Sequence, residues 1–284
     1  MPAPDFKKLH KIAYQVRQDV LRMTVLSESG HLAGSFSGSE TMVALYFADI
    51  LRHDPKRPNW EKRDFFILSK GHVCPTLYSV LARKGFFEVQ ELDEYAKLGS
   101  RLQGHPHFAF GSKHNLPGIE NTSGSLGQGI SQAAGIAIGL KMDGKKNHVF
   151  CLMSDGEQQE GQVWEAYTFI NHHNLDNFVG LIDCNKIQIS GKIKNVLPIR
   201  DLKLKLLAFG FRVFEADGHD FADLIKKLKL AKSHERKATV VLLNTIAGKG
   251  VSFMENDSKW HSHVPNESEY SQAMKELEIK GKNN

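Results

Sequence analysis

Five short apolar runs punctuate the chain, and between them apolar positions recur every three or four residues. "RDFFILSKGH" predicts a strand at about Asp64–Leu68 and "NHVFCLMSDG" a second at His148–Met153. "FVGLIDCN" predicts a third at Phe178–Asp183, "FRVFEADG" a fourth at Phe211–Ala216 and "ATVVLLNT" a fifth at Ala238–Asn244. The runs are β-branched or aromatic and mostly apolar on both faces, as strands covered on both sides of a parallel sheet should be. Helical spacing fills the intervals. "EGQVWEAYTFINHH" sets Val163, Ala166, Tyr167 and Ile170 on one stripe. "DFADLIKKLKLAKSH" opens with an acidic cap and sets Phe221, Leu224, Ile225 and Leu228 on another. Strand alternating with helix predicts an α/β fold, a doubly wound, mostly parallel sheet flanked by helices. Its ligands are expected beyond the C-terminal ends of the strands.

Those ends carry chemistry. Asp155 and Gly156 follow the second strand, and Asn185 and Ile187 follow the third. A carboxylate, an amide oxygen and one backbone carbonyl form a hard oxygen set suited to Mg²⁺ or Ca²⁺. Three protein ligands leave an octahedron incomplete, and two phosphate oxygens and a water would fill it. Gly156 lets the backbone approach such phosphates and is expected to begin a helix whose positive end favours anions. An Asp-Gly turn and a turn asparagine would account for the same residues without any metal.

Two further patterns stand out. In "NTSGSLGQGISQAAGIAIGLK", Gly127, Ser131, Gly135 and Gly139 recur every fourth residue and predict a helix face almost free of side chains. Each helical glycine costs roughly 1 kcal/mol, so close packing should compensate. The order GxxGxG, away from a strand, argues against a nicotinamide-nucleotide loop. His31, His72, His105 and His261 lie in loop-like sequence, three of them directly after glycine. Loops concentrate functional groups. His53, His172, His173, His219 and His234 are read as ordinary surface or turn residues. No histidine pair has compact ligand spacing with cysteine, which disfavours zinc.

Composition narrows the setting. The 284 residues are 41% hydrophobic and 24% charged, ordinary for a globular protein, with a net charge of +5. Lysine and arginine are scattered, so anionic small molecules fit this balance and nucleic acid is not expected. Cys74, Cys151 and Cys184 are far apart and form no CxxC pair, which favours a reducing compartment. No apolar run approaches the ~18 residues of a membrane span. A cytoplasmic protein without a membrane partner is expected.

Taken together, "SGHLAG", "LSKGH", "QGHP", "GSLGQGIS" and "DGEQQEGQ", in this order, resemble the thiamine-diphosphate-binding half of transketolase from about Leu9 to Tyr270. The cofactor motif, Gly-Asp-Gly followed some thirty residues later by Asn, reads "SDGE…DCNKI" here, with Ser154 in the first glycine's place. The resemblance implies Asp155, Asn185 and the Ile187 carbonyl as metal ligands. It implies His72, Gly156 and His261 at the diphosphate and Gly124, Ser125 and Leu126 along thiamine diphosphate. Ser125 stands where proline is common. His31, His105 and His261 resemble the imidazoles around the sugar hydroxyls, and Glu160 the buried glutamate linking paired sites. "HSH" replaces the family's "HG", so His263 is expected to alter acceptor contacts.

The implied reaction is transfer of a two-carbon ketol unit from a ketose phosphate to an aldose phosphate. The cofactor serves as the electron sink, and histidines move protons near neutral pH. Residues 1–284 are read as a single diphosphate-binding domain, with the pyrimidine-binding and C-terminal domains on a separately encoded partner in a two-plus-two assembly. Deoxyxylulose-phosphate-synthase-like chemistry, an unusual sugar phosphate and a non-catalytic cofactor-binding scaffold are the alternatives.

Overall fold

The computed structural model describes residues 4–109, 111–112, 114–234 and 236–283. Helix α1 (Phe6–Leu26) is capped by Asp5, whose carboxylate accepts from the Lys8 amide at 3.0 Å. Helices α2 (Leu32–Ser37) and α3 (Ser39–Phe47) follow and lead to strand β1 (Phe65–Leu68). A 3₁₀ turn (Gly71–Val73) joins β1 to α4 (Cys74–Lys84), and α5 (Gln128–Met142) precedes β2 (Val149–Ser154). Beyond β2 lie a second 3₁₀ turn (Gly156–Gln159), α6 (Gly161–His172) and β3 (Phe178–Cys184). A small antiparallel pair, β4 (Ile187–Gln188) with β5 (Gly191–Lys192), leads to α7 (Ile193–Val196) and α8 (Leu202–Ala208). The chain then runs through β6 (Arg212–Asp217), α9 (Phe221–Ser233), β7 (Thr239–Asn244) and α10 (Glu267–Asn283).

Five strands form one sheet in the order β1-β2-β3-β7-β6, and every neighbouring pair is parallel. Each lies within one residue of the strand predicted from the apolar runs. Successive side chains alternate between two cores. Phe66, Phe150, Leu152, Leu181 and Val241 join the core that includes residues of α1, α3, α4 and α9. Ile67, Cys151, Met153, Ile182 and Val240 join the one built with α5, α6 and α8. Burial on both faces explains why these runs show little polar alternation. Each fully buried Leu, Ile, Val or Phe contributes about 1.5–3 kcal/mol.

Two local expectations need correction. Gly156 opens only the short 3₁₀ turn, and the helix proper begins at Gly161. Gly127 precedes α5 with left-handed backbone (φ 83°) and is packed against Gln162 and Glu160. It therefore leaves the small-residue face to Ser131, Gly135 and Gly139, and a Cβ at either glycine would meet nothing in this chain. Among the described residues, no helix is long and apolar enough to cross a membrane.

Candidate active site

Parallel register brings the strand tips level. Ser154 pairs with Asp183 and Cys184 with Asn244, so Asp155, Asn185 and Thr245 emerge side by side. Asp155 is buried. Its Oδ1 accepts from the Gly156 amide at 2.9 Å and its Oδ2 from the Lys186 amide at 2.7 Å. It has no cationic partner among the described residues, and burial, with Asp183 nearby, raises its pKa to about 7. Asn185 Nδ2 donates to Ser37 Oγ and Asp183 Oδ2, each at 3.2 Å. That pairing assigns the amide orientation. Asn185 Oδ1 is left as the acceptor, 3.1 Å from the Ile187 amide.

A buried carboxylate without an ion pair among the described residues, beside an amide oxygen and a backbone carbonyl, fits a hard divalent cation. No group of three His, Cys, Asp or Glu side chains suited to a metal occurs among the described residues. The donor set is mixed, and this one suits oxygen-preferring ions rather than zinc.

Above the loop opens a cavity of about 390 Å³, lined in part by His31, His72, His261, Lys70, Gly156 and Gly124. The rings of His31, His72 and His261 form a triangle with centroids 5.1, 5.4 and 5.5 Å apart. Gly34 makes room for it, since a Cβ there would meet Val73 at 3.1 Å and the His72 ring at 3.5 Å. Burial lowers the pKa of His31, with His105 assisting, and drives His72 well below the ordinary value, with Lys70 assisting. Burial, then His31 and Lys70, bring His261 to about 4. The three are neutral at pH 7, so each ring offers one donor and one acceptor.

His105 stands beside Gly124 on an exposed loop, and burial lowers its pKa as well. Five carbonyls hold that loop in place. The Ala96 amide donates to Leu102 O at 2.8 Å, and the Ser123 amide to Pro106 O at 3.2 Å. Between them the Tyr78 hydroxyl donates to Gln103 O at 2.9 Å and His105 O at 3.3 Å, and the Cys74 thiol to Gly104 O at 3.2 Å. Tyr78 and Cys74 lie on α4, which begins two residues after His72, so one helix helps to place both histidines.

Several expected positions look different in the fold. Leu126 lines the cavity with Gly124, whereas Ser125 is exposed and outside the lining. Glu160 lines the cavity too but is exposed in this chain, not buried. The buried glutamate of "DGEQQEGQ" is Glu157, which accepts from Ser69 Oγ, the Gly127 amide (2.6 Å) and the Ser154 amide (3.2 Å). Glu157 thereby ties three site-forming loops together. His263 packs on Trp260 with ring centroids 5.0 Å apart and faces Glu269 at 3.3 Å, outside the cavity lining. His219 is a structural residue, bridging Glu40 and the Ile246 amide.

Sequence reasoning passed over Lys70 and Asp183, a buried ion pair at the cavity's base. Asp183 also accepts from Ser37 Oγ at 2.6 Å and from Thr245 Oγ1. Both residues sit at the ends of predicted apolar runs, and a charge in that position was the signal that could have found them.

A parallel sheet with a cavity at its C-terminal strand ends is the architecture of ligand-binding doubly wound α/β proteins. Residues 10–283 match the family described as transketolase, thiamine diphosphate binding domain, and the chain belongs to that family. It is 38% identical over 276 residues to the 6-deoxy-6-sulfo-D-fructose transketolase subunit of Clostridium sp. (strain MSTE9), covering 95% of this chain and 98% of that protein. It is 37% identical over 261 residues to an apulose-4-phosphate transketolase subunit of Phocaeicola vulgatus, covering 92% of this chain and 90% of that protein. The transketolase structure from Campylobacter jejuni superposes with a TM-score of 0.82 at 28% identity, covering 97% of this chain. This chain spans 47% of that longer one.

Proposed function

We propose that this chain is the diphosphate-binding subunit of a two-chain transketolase, moving a two-carbon ketol unit from a ketose phosphate to an aldose phosphate. The observation that carries the reading is Asp155, a buried carboxylate with no ion pair among the described residues, set between Ser154 and Gly156, which line a cavity ringed by neutral imidazoles. Asp155, Asn185 Oδ1 and the Ile187 carbonyl would hold Mg²⁺, or Ca²⁺ in its place. His72, Gly156, His261 and the segment Gly124–Leu126 would hold thiamine diphosphate, with the Lys70 ammonium favouring its negative charge. When bound, that cofactor supplies an electron sink for the pair released as the ketose carbon–carbon bond breaks. His31, His105 and His261 take and return protons at sugar hydroxyls, and they donate to oxygen as it gains charge. Glu160 is assigned to the link between paired sites, where a neighbouring chain would cover it.

The partner would supply the pyrimidine-binding domain in a two-plus-two cytoplasmic assembly. Support comes from relatives of matching length that are named as subunits. The substrates in those names carry a sulfonate or a phosphate, so a sugar with an anionic group is assigned to this chain as well. The four loop histidines rank this reading above a non-catalytic scaffold. Calorimetric titration of the full chain, alone and with its partner, with Mg²⁺ and thiamine diphosphate tests the reading. Asp155→Ala should abolish Mg²⁺-dependent binding while the fold remains intact. Unchanged affinity in the variant would remove the metal site, and absence of ketol transfer by the assembled pair would remove the reaction.

A further inference from the structure

A second and larger cleft, about 650 Å³, is lined by Asp155, Asn185 and Ile187 of the site described above and, beyond them, by residues that its chemistry does not use. Its wall includes Ile193, Pro198, Ile199 and Leu202, all apolar. Lys186, Lys192, Lys194 and Arg200 also line it, and all four are exposed. None of these four side chains makes an ion pair or a hydrogen bond with another described residue. Cations a few residues along the chain do find partners: Lys203 meets Glu215 and Lys205 lies over the Trp164 ring. The one acid in the lining is Asp155, whose oxygens are both engaged by backbone amides. Four like charges on one small cleft repel one another, and no carboxylate among the described residues forms an ion pair with any of them.

The backbone carries a second sign. Lys186, Arg200 and Asn256 hold left-handed φ values of 68°, 58° and 61°, and all three line this cleft. Asparagine adopts that conformation readily, but for Lys186 and Arg200 it costs on the order of 1–2 kcal/mol each. Strain of this kind clusters at ligand-binding sites. The volume falls in the range of small-molecule pockets, which are about 300–1,000 Å³.

We infer that this cleft binds an organic phosphate, its dianion held by Lys186, Lys192, Lys194 and Arg200 and its carbon body laid on the isoleucine and leucine wall. Inorganic phosphate satisfies only the cations, and an uncharged apolar molecule only the wall, so the site should favour a ligand carrying both. The cleft shares Asn185 and Ile187 with the histidine cavity, takes in Asp155 as well and includes none of the histidines. The inference does not depend on the reaction proposed above.

Phenyl phosphate is the probe, titrated calorimetrically into the full chain beside inorganic phosphate and phenol. Phenyl phosphate should bind about tenfold more tightly than either control, and added salt should weaken it. Lys192→Ala with Arg200→Ala, both exposed positions, should weaken it about tenfold or more. Lys192→Arg with Arg200→Lys should restore binding, and His72→Ala in the other cavity should leave it unchanged. The inference is overturned if phenyl phosphate fails to bind at millimolar concentration or binds no better than inorganic phosphate. It is equally overturned if His72→Ala removes binding and the rim variant does not.

Discussion

Asp155 and Asp183 sit at the tips of adjacent strands, and both are buried, yet their surroundings are opposite. Asp183 is met by the Lys70 ammonium, two hydroxyls and the Asn185 amide. Asp155 is met by two backbone amides and forms no ion pair among the described residues. Burying a charge is costly unless it is paired. One carboxylate is therefore answered from within the fold and acts as a fastener, orienting Asn185 on the way. The other has no ion-pair partner among the described residues. Lone aspartates at strand ends look alike in sequence, and what separates them is the set of groups brought in from distant segments.

The contrast is most severely tested at Asp183. Asp183→Ala strands the fully buried Lys70 ammonium and should cost about 3–5 kcal/mol of unfolding free energy in denaturant melts. A loss below about 1 kcal/mol would mean that the pair is not a fastener. For Asp155 the sign is reversed. Its folded pKa of about 7 lies above the ordinary 3.8, so its favourable share of stability is complete below about pH 4 and lost as pH rises through 7. The metal-free chain should lose on the order of 4 kcal/mol across that window from this residue alone. Asp155→Asn should flatten the profile, and saturating Mg²⁺ should stabilise the wild-type chain above pH 7. A metal-free profile identical in Asp155→Asn would break the comparison.

The proposed function divides the histidines in the same way. His31→Ala or His105→Ala should slow turnover of the assembled enzyme on the order of 10²-fold with little loss of cofactor affinity. His72→Ala should chiefly weaken cofactor binding. Separate titrations and saturating-cofactor rates distinguish the two patterns. The smallest effect is expected at Tyr78→Phe, which deletes one buried donor shared by Gln103 O and His105 O. About 1 kcal/mol should be lost, with faster amide exchange confined to the loop that carries His105.

Much of the scaffold was legible because burial on both faces leaves a simple mark: short runs with almost no polar interruption. All five sheet strands follow from it to within one residue. Asp155 and Asn185 were legible because they end such runs. Strand order was not, since nothing local tells β3 that β7 rather than β6 will lie beside it. Lys70, Thr245 and Ser37 escaped for the same reason, because each joins Asp183 across a separation of more than sixty residues. The exposure of Glu160 and the packing of His263 on Trp260 were not legible, because burial and side-chain direction depend on neighbours that motif spacing does not encode. The helix expected from Gly156 begins only at Gly161, because a 3₁₀ turn fills the residues between them.

The position of β7 between β3 and β6 has a consequence for the nascent chain. Synthesis runs from β3 to β6 before Thr239–Asn244 exists, so the strand that β3 needs as its neighbour is the last of the sheet to be made. Until it arrives, β3 presents a row of unpaired amides and carbonyls flanked by Leu181 and Ile182, the kind of edge on which chains associate wrongly. Thr245, one residue further on, reaches Asp183 only when that edge has been covered. The hydroxyl that completes the fastener thus arrives with the strand that closes the sheet, and a finished site marks a finished domain.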